Sequence, residues 1–74
     1  MMKISASNVL SGTVTGIESD DKSAYVSVDI GGNQIVTAAI TLESVNMLEL
    51  EPGKQVFAVV NAWDVMIGTH HHTR

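Results

Sequence analysis

The chain of 74 residues contains no cysteine, only three aromatic residues and only 16% charged residues. A domain of this size buries only about 60% of the surface that its unfolded chain exposes, so small folds need disulfides, metals or association with other chains. The absence of cysteine excludes disulfides. Because 45% of the residues are hydrophobic, the composition favours association, with apolar surface covered by further copies of the chain.

The scarcity of long apolar runs, of cations and of aromatic residues disfavours several functional classes. No apolar run approaches the roughly 18 residues of a membrane span, and the N-terminal residues lack a secretory hydrophobic region, which favours a cytoplasmic protein. The net charge is −4 and only four residues are Lys or Arg. These scattered cations form no stripe for phosphates, so neither nucleic acid nor a membrane is an expected partner. Stacking of single-stranded nucleic acid on an OB-like face is also disfavoured, because aromatic residues are few.

Catalysis is not expected. All three histidines lie together near the C-terminal end of the chain, and with no cysteine the usual pairs of nucleophile and base cannot be assembled. His70, His71 and His72 could chelate a metal ion, but three consecutive imidazoles in this place are more typical of a solvated tail.

Alternating side chains predict a meander of three strands. The clearest strand covers residues 23–30, where small or apolar side chains occupy every second position. Residues 8–19 are rich in β-forming residues and carry Gly12 and Gly16, where a small barrel could bend or bulge. Residues 34–40 return as the third strand.

Turn residues separate these strands. Ser19-Asp20-Asp21-Lys22 reads as a hairpin turn, because an Asp side chain bonds its own backbone. The two acids lack the spaced ligands of a calcium loop, so a solvated turn is the expected role. Gly31-Gly32-Asn33 supplies the residues with positive φ for a second hairpin.

One short helix and two further strands complete the prediction. Thr41 can cap a helix over residues 42–48, and Glu51-Pro52-Gly53-Lys54 has the pattern of a type II turn. A fourth strand follows at 55–62 and a short fifth strand at 65–67. The predicted fold is therefore all-β: a five-stranded OB-like barrel with one short helix between the third and fourth strands.

The predicted fourth strand is apolar on both faces. Val56, Ala58 and Val60 face one way, and Phe57 and Val59 face the other. A strand that meets water on one side has polar residues there, so we expect one face to meet the core and the other a partner chain.

With the elements placed, the chain resembles the molbindin or Mop-domain family. Its opening residues 2–12, MKISASNVLSG, are similar to the family's lysine-isoleucine-serine-alanine-arginine-asparagine motif and the glycine that follows it. TLESV at 41–45, LEL at 48–50, GK at 53–54 and VMIG at 65–68 match the family's helix, turn and closing strand. The resemblance predicts a single Mop-like domain over residues 1–69, followed by a flexible C-terminal tail at 70–74.

The resemblance implies a barrel that assembles with itself, as a hexamer, and holds tetrahedral oxyanions between subunits. The expected ligand is molybdate or tungstate, with no organic cofactor. Such a dianion only accepts hydrogen bonds, so its site must present N–H and O–H donors. The positions assigned to this site are Ser5, Ala6, Ser7, Asn8, Asn61 and Ala62.

Three positions depart from the family pattern. Ser7 stands where the family usually has arginine, Asn61 where it usually has lysine, and Trp63 where it usually has a small hydroxyl-type residue. The first hypothesis is binding and intracellular storage or buffering of molybdate or tungstate at subunit interfaces. The alternative is an oligomeric interaction module of the same fold that has lost oxyanion binding. The missing cations favour it, because charge-assisted hydrogen bonds are about twice as strong as neutral ones.

Two other features have competing interpretations. Thr41 and Ser44 could direct backbone amides at an anion, although such residues more often only cap a helix. Trp63 is expected to be an interface or core aromatic residue rather than one that stacks on a ligand.

Overall fold

The computed structural model describes residues 7–70, and within them four antiparallel strands form one sheet in the order β3-β2-β1-β4. The four strands begin and end within one residue of the predicted bounds, and the helix has the predicted bounds. The elements are β1 (Ser7–Ser19), β2 (Ser23–Gly31), β3 (Gln34–Thr41), the helix α1 (Leu42–Leu48), β4 (Gln55–Asn61) and a 3₁₀ helix (Ala62–Asp64).

The turns form as their residue types predict. Asp20 Oδ1 accepts hydrogen bonds from the backbone N–H groups of Lys22 and Ser23 at 3.0 and 2.9 Å. These bonds favour the charged carboxylate and lower the pKa of Asp20. Gly31, Gly32 and Asn33 have φ of 98°, 62° and 63° in the second hairpin. Gly53 has φ of 95° in the predicted type II turn, where Lys54 N–H donates to the carbonyl of Glu51.

Strand β1 pairs with β4 over its first half and with β2 over its second half. The pairing with β2 shifts register between Val14 and Gly16, so Thr15 is the extra residue of a bulge, and its hydroxyl donates to the carbonyl of Ser27. Gly12 was predicted as a place for a bend or bulge, but the bulge does not lie at this residue. A Cβ at this position would lie 2.5 Å from the carbonyl oxygen of Asp29, so only glycine allows β1 and β2 to approach so closely.

The core is small and lies between one face of the sheet and α1. Its buried residues are Val14, Ala24, Val26, Val28 and Val45. Four of them come from β1 and β2, and Val45 reaches them from α1. Three of the predicted inward positions of β2 are therefore buried, as their alternation indicated. Within residues 7–70 these five are the buried residues, and the other apolar side chains that pack against them are only half-buried, so the fold removes little apolar surface from water.

Helix α1 is capped at both ends. Thr41 Oγ1 accepts a hydrogen bond from Ser44 N–H at 3.1 Å and donates to Ser44 Oγ at 2.9 Å. These bonds confirm the capping role of Thr41. At the C-terminal end Glu49 adopts a left-handed conformation with φ of 54°, and Lys54 Nζ donates to the carbonyls of Leu48 and Glu49. Within residues 7–70 there is no helix long and apolar enough to cross a bilayer.

The predicted fifth strand is not formed within the described chain. Val65 is extended, but residues 65–70 belong to no strand or helix. Val65, Met66 and Ile67 are 46%, 90% and 88% exposed. The four strands form an open half-barrel whose outer strands are β3 and β4. Local sequence predicts that a segment is extended, whereas it does not determine where that segment finds a neighbour to pair with.

Candidate functional site

Ser7 and Asn61 lie directly opposite each other at one corner of the sheet. Ser7 is the first residue of β1, Asn61 is the last residue of β4, and the two are paired in the antiparallel ladder. Residues that are opposite in such a ladder project from the same face. The structure therefore brings together two of the predicted site positions, which are far apart in the sequence.

Asn61 also begins the 3₁₀ helix that contains Ala62. Its Oδ1 accepts a hydrogen bond from Trp63 N–H at 3.0 Å, which fixes the orientation of the side-chain amide. Because Oδ1 is the acceptor, Nδ2 presents the donors, and none of the hydrogen bonds among residues 7–70 uses it. Among residues 7–70, Asn61 thus makes one structural hydrogen bond through Oδ1, and its two N–H groups make none.

Asn8 projects from the opposite face of the sheet. Side chains alternate along a strand, so Asn8 cannot share the face of its neighbour Ser7. Its Nδ2 donates to the carbonyl of Val60 at 3.2 Å, a bond that holds the start of β1 against the end of β4. The sequence signal that separates Asn8 from Ser7 is the alternation of side chains along β1, counted back from the buried Val14.

Some predicted positions lie outside the described residues. These are Ser5 and Ala6 of the predicted site, and His71 and His72 of the histidine run. His70 is described and exposed. In residues 7–70, no group of three or more His, Cys, Asp or Glu side chains could hold a metal ion.

The Ser7–Asn61 corner presents neutral donors. Two cations are found in the part of the chain that the structure describes, and both lie elsewhere: Lys22 in the turn after the far end of β1, and Lys54 at the C-terminal end of α1. Asp64, at the end of the 3₁₀ helix, is the acid nearest to Asn61 in the sequence. A hydroxyl, a carboxamide and backbone amides are therefore what this corner offers an anion.

The face that carries Ser7 and Asn61 continues as apolar surface. Val9 pairs with Val59 and Ser11 pairs with Phe57 on the same side of the sheet. Val9, Phe57 and Val59 are 61%, 66% and 60% exposed, while Val56, Ala58 and Val60 are half-buried. The face of β4 that was predicted to meet the core is thus half-buried, while the partner chain expected on the other face stays a prediction. Trp63 is 90% exposed, so it is not part of the core of this chain.

Residues 4–67 match the family model of the TOBE domain. A relative in Haemophilus influenzae, a probable molybdenum-pterin-binding protein, is 43% identical over 67 residues, which cover 90% of this chain and 97% of that protein.

Solved structures give the same comparison in three dimensions. MopII from Clostridium pasteurianum superimposes with a TM-score of 0.82 at 39% identity, over 90% of this chain and 100% of that one. A molybdate-binding protein from Sporomusa ovata superimposes with a TM-score of 0.81 at 38% identity, over 92% and 100% of the two chains. The similarity thus covers nearly the full length of each of these proteins.

Proposed function

Because the chain belongs to the molbindin or Mop family, whose TOBE domain it matches over residues 4–67, we propose that it binds molybdate. Tungstate has nearly the same size and charge, so we extend the proposal to tungstate. Relatives that are described as molybdenum-pterin-binding or molybdate-binding proteins support the ligand class. The proposed role is reversible storage or buffering in the cytoplasm, without catalysis.

The pairing of Ser7 with Asn61 is the observation that carries the proposed site. It places a hydroxyl donor beside two amide N–H donors at the start of β1, next to the backbone of Ala62. An oxyanion with acceptor oxygens on all sides needs such converging donors. Ser5 and Ala6 precede Ser7 directly, and we propose that they complete the cage, while Asn8 positions the two strands from the other face.

We propose further that this site lies where copies of the chain meet. The exposed apolar side chains of Val9, Phe57 and Val59 continue from Ser7 and Asn61 across the same face. An exposed apolar patch rimmed by polar residues marks an association surface. A neighbouring chain on this face would add donors to the anion and exclude water, which strengthens each hydrogen bond. The proposed assembly is a homo-hexamer.

The test is calorimetric titration with molybdate and tungstate, with sulfate as the control for general anion binding. The most informative variant is Asn61→Asp. Asp keeps the Oδ1 that accepts from Trp63 N–H, so the 3₁₀ helix is retained, but it replaces two donors with a negative charge. We expect molybdate affinity to fall by about tenfold or more, because donors to the anion are lost and like charges repel.

Asn46→Asp is the matched control for charge. Asn46 is exposed on α1 and is not a residue of the proposed site. Its change to Asp gives the chain the same net charge as Asn61→Asp. Its affinity should stay close to that of the unaltered chain. Equal affinities in the two variants would contradict the assignment of Asn61 to the site.

A second variant tests the same site in the opposite direction. Ser7→Arg combined with Asn61→Lys introduces cations at both positions, and charge-assisted hydrogen bonds should tighten molybdate binding by about tenfold or more. The assembly state of each variant is measured first by light scattering. If the unaltered chain binds no oxyanion and the cationic variant also binds none, the interaction-module alternative is preferred.

A further inference from the structure

Trp63 is bonded to a residue of the proposed oxyanion site and is not part of the core. Its backbone N–H donates to Asn61 Oδ1 at 3.0 Å, and the 3₁₀ helix Ala62–Asp64 holds it beside that residue. The side chain is 90% exposed, although a tryptophan can bury about 150–250 Å². The ring is therefore free for a contact that the core of the chain does not supply.

The 3₁₀ helix turns Trp63 away from the interior of the half-barrel. That interior is an open apolar trough of about 930 Å³, and among residues 7–70 its lining includes Asp64 but not Trp63. Successive residues of a 3₁₀ helix are about 120° apart, so a helix with Asp64 on the trough side has Trp63 on another side. Asn61 is also outside the trough, because it follows the half-buried Val60 in the alternation of β4. Trp63 and Asn61 thus both lie outside the barrel interior.

The indole is long enough to reach the Ser7–Asn61 corner. Two residues of a 3₁₀ helix rise by about 4 Å, and the indole N–H stands farther than this from its own Cα. Only two side-chain torsions have to be fixed to bring the N–H to an anion at this corner, so the entropy cost is small.

The polar end of the indole matches the chemistry of an oxyanion. Nε1–H donates and cannot accept, whereas every oxygen of molybdate accepts. None of the hydrogen bonds among residues 7–70 uses this N–H group. The cations Lys22 and Lys54 lie elsewhere, so at this corner the described residues offer neutral donors. A neutral donor still forms a stronger hydrogen bond with a charged acceptor than with a neutral one.

We propose that Trp63 is a ligand-binding residue of the oxyanion site, whose indole Nε1–H donates to an oxygen of bound molybdate or tungstate and whose ring shields the anion from water. This role rests on the proposed function and adds a donor to it. The exclusion of water also strengthens the hydrogen bonds from Ser7 and Asn61. Trp63 thereby compensates in part for the absence of a cation at either position.

Replacement of the indole N–H alone provides the sharpest test. The chain has one tryptophan, so a tryptophan analogue supplied to an auxotrophic host alters Trp63 and no other residue. Benzothienylalanine has sulfur in place of the N–H group and keeps the size and aromatic character of the ring. Calorimetric titration should show an affinity for molybdate about tenfold lower than that of the unaltered chain, because one hydrogen bond to a charged acceptor is lost. Trp63→Phe should lose at least as much, because its smaller ring also covers less of the anion.

Tyr25→Phe is the matched control for the loss of one donor from an exposed aromatic side chain. Tyr25 is 55% exposed and pairs with Glu18, near the end of β1 that is opposite to Ser7. Its affinity for molybdate should equal that of the unaltered chain, and light scattering checks the assembly state of each protein first. Equal losses in Tyr25→Phe and Trp63→Phe would contradict the proposal.

Fluorescence of the unaltered chain gives a readout that a purely structural role of Trp63 would not give. Molybdate should change the emission of Trp63 in a saturable way, with the same midpoint as the calorimetric titration, because the anion contacts the ring. N-acetyltryptophanamide in the same titration corrects for absorption and collisional quenching, and sulfate is the control for general anion binding. An emission that only follows the free amino-acid derivative would contradict the contact.

Two results would contradict the role of Trp63 alone, and a third would contradict oxyanion binding itself. If the unaltered chain binds molybdate and both altered chains bind it equally well, the site is retained and Trp63 is not part of it. If the benzothienylalanine chain keeps its affinity while Trp63→Phe loses both affinity and assembly, the ring is an interface residue and the proposed donor is wrong. If the unaltered chain binds no oxyanion, the proposed function fails, and the role of Trp63 fails with it.

Discussion

Gly12 has no room for a side chain. Its Cβ would approach the carbonyl oxygen of Asp29 to 2.5 Å and a methyl group of Val28 to 2.7 Å, and backbone oxygen cannot move aside without moving β2. Gly16, in the same strand, has nothing within 4 Å of the place a Cβ would occupy. Two glycines in one strand therefore have opposite tolerance to substitution.

We predict that Gly12→Ala lowers the free energy of unfolding by about 1–3 kcal/mol, because β1 and β2 must separate to admit the methyl group. Gly16→Ala is the control and should change the free energy by less than about 1 kcal/mol, in either direction. Urea unfolding of both variants at one protein concentration measures the difference. Equal losses in the two variants would show that the close approach to Asp29 does not limit the strand.

Among the elements, α1 depends on bonds at its two ends. Seven residues are too few for a helix to persist alone in water, because nucleation is unfavourable. Thr41 satisfies an N–H group at its start, and the ammonium of Lys54 satisfies carbonyls at its end, where the helix dipole also favours a positive charge. Val45 is then buried against the sheet, and the half-buried Leu42 packs against the same core.

We predict that Lys54→Met lowers the free energy of unfolding by about 0.5–2 kcal/mol. Met keeps most of the aliphatic stem but removes the donor to the carbonyls of Leu48 and Glu49, which lie 2.8 and 3.2 Å from Nζ. Lys22→Met removes the same charge in an exposed turn and should have little effect. A loss of similar size at Lys22 would attribute the effect to net charge and not to the helix end.

At the scale of the whole molecule, the single chain is an incomplete fold. Among residues 7–70 five residues are buried in the core, the barrel is open between β3 and β4, and exposed apolar groups occur on the outer face, on Trp63 and on residues 65–67. These features favour association, because each leaves apolar surface in water that a second copy of the chain can cover.

We predict that thermal stability depends on protein concentration. When folded assemblies unfold to separate chains, mass action raises the melting temperature as the chain concentration rises. Calorimetric or circular-dichroism melts over a hundredfold concentration range, without added oxyanion, provide the measurement. A melting temperature that stays constant over this range would mean that the small core suffices and that association adds nothing to stability.

The sequence by itself determined the local structure and the family. Alternation located β2 and its inward face, Asp20 and the Gly31-Gly32-Asn33 segment specified the turns, and Thr41 specified the start of the helix. These features depend on neighbours within a few residues, so the residue types are sufficient to predict them. The family resemblance likewise rests on the order and spacing of short motifs.

Only the tertiary structure decided how distant segments meet. The register between β1 and β4 pairs Ser7 with Asn61 and turns Asn8 to the other face, and it arises from the packing of a whole strand. Likewise, the arrangement of the entire sheet determines that β3 and β4 do not pair and that residues 65–67 belong to no strand. Extended geometry is encoded locally, but a strand forms only where another strand offers its backbone groups, and within residues 7–70 none does so for residues 65–67.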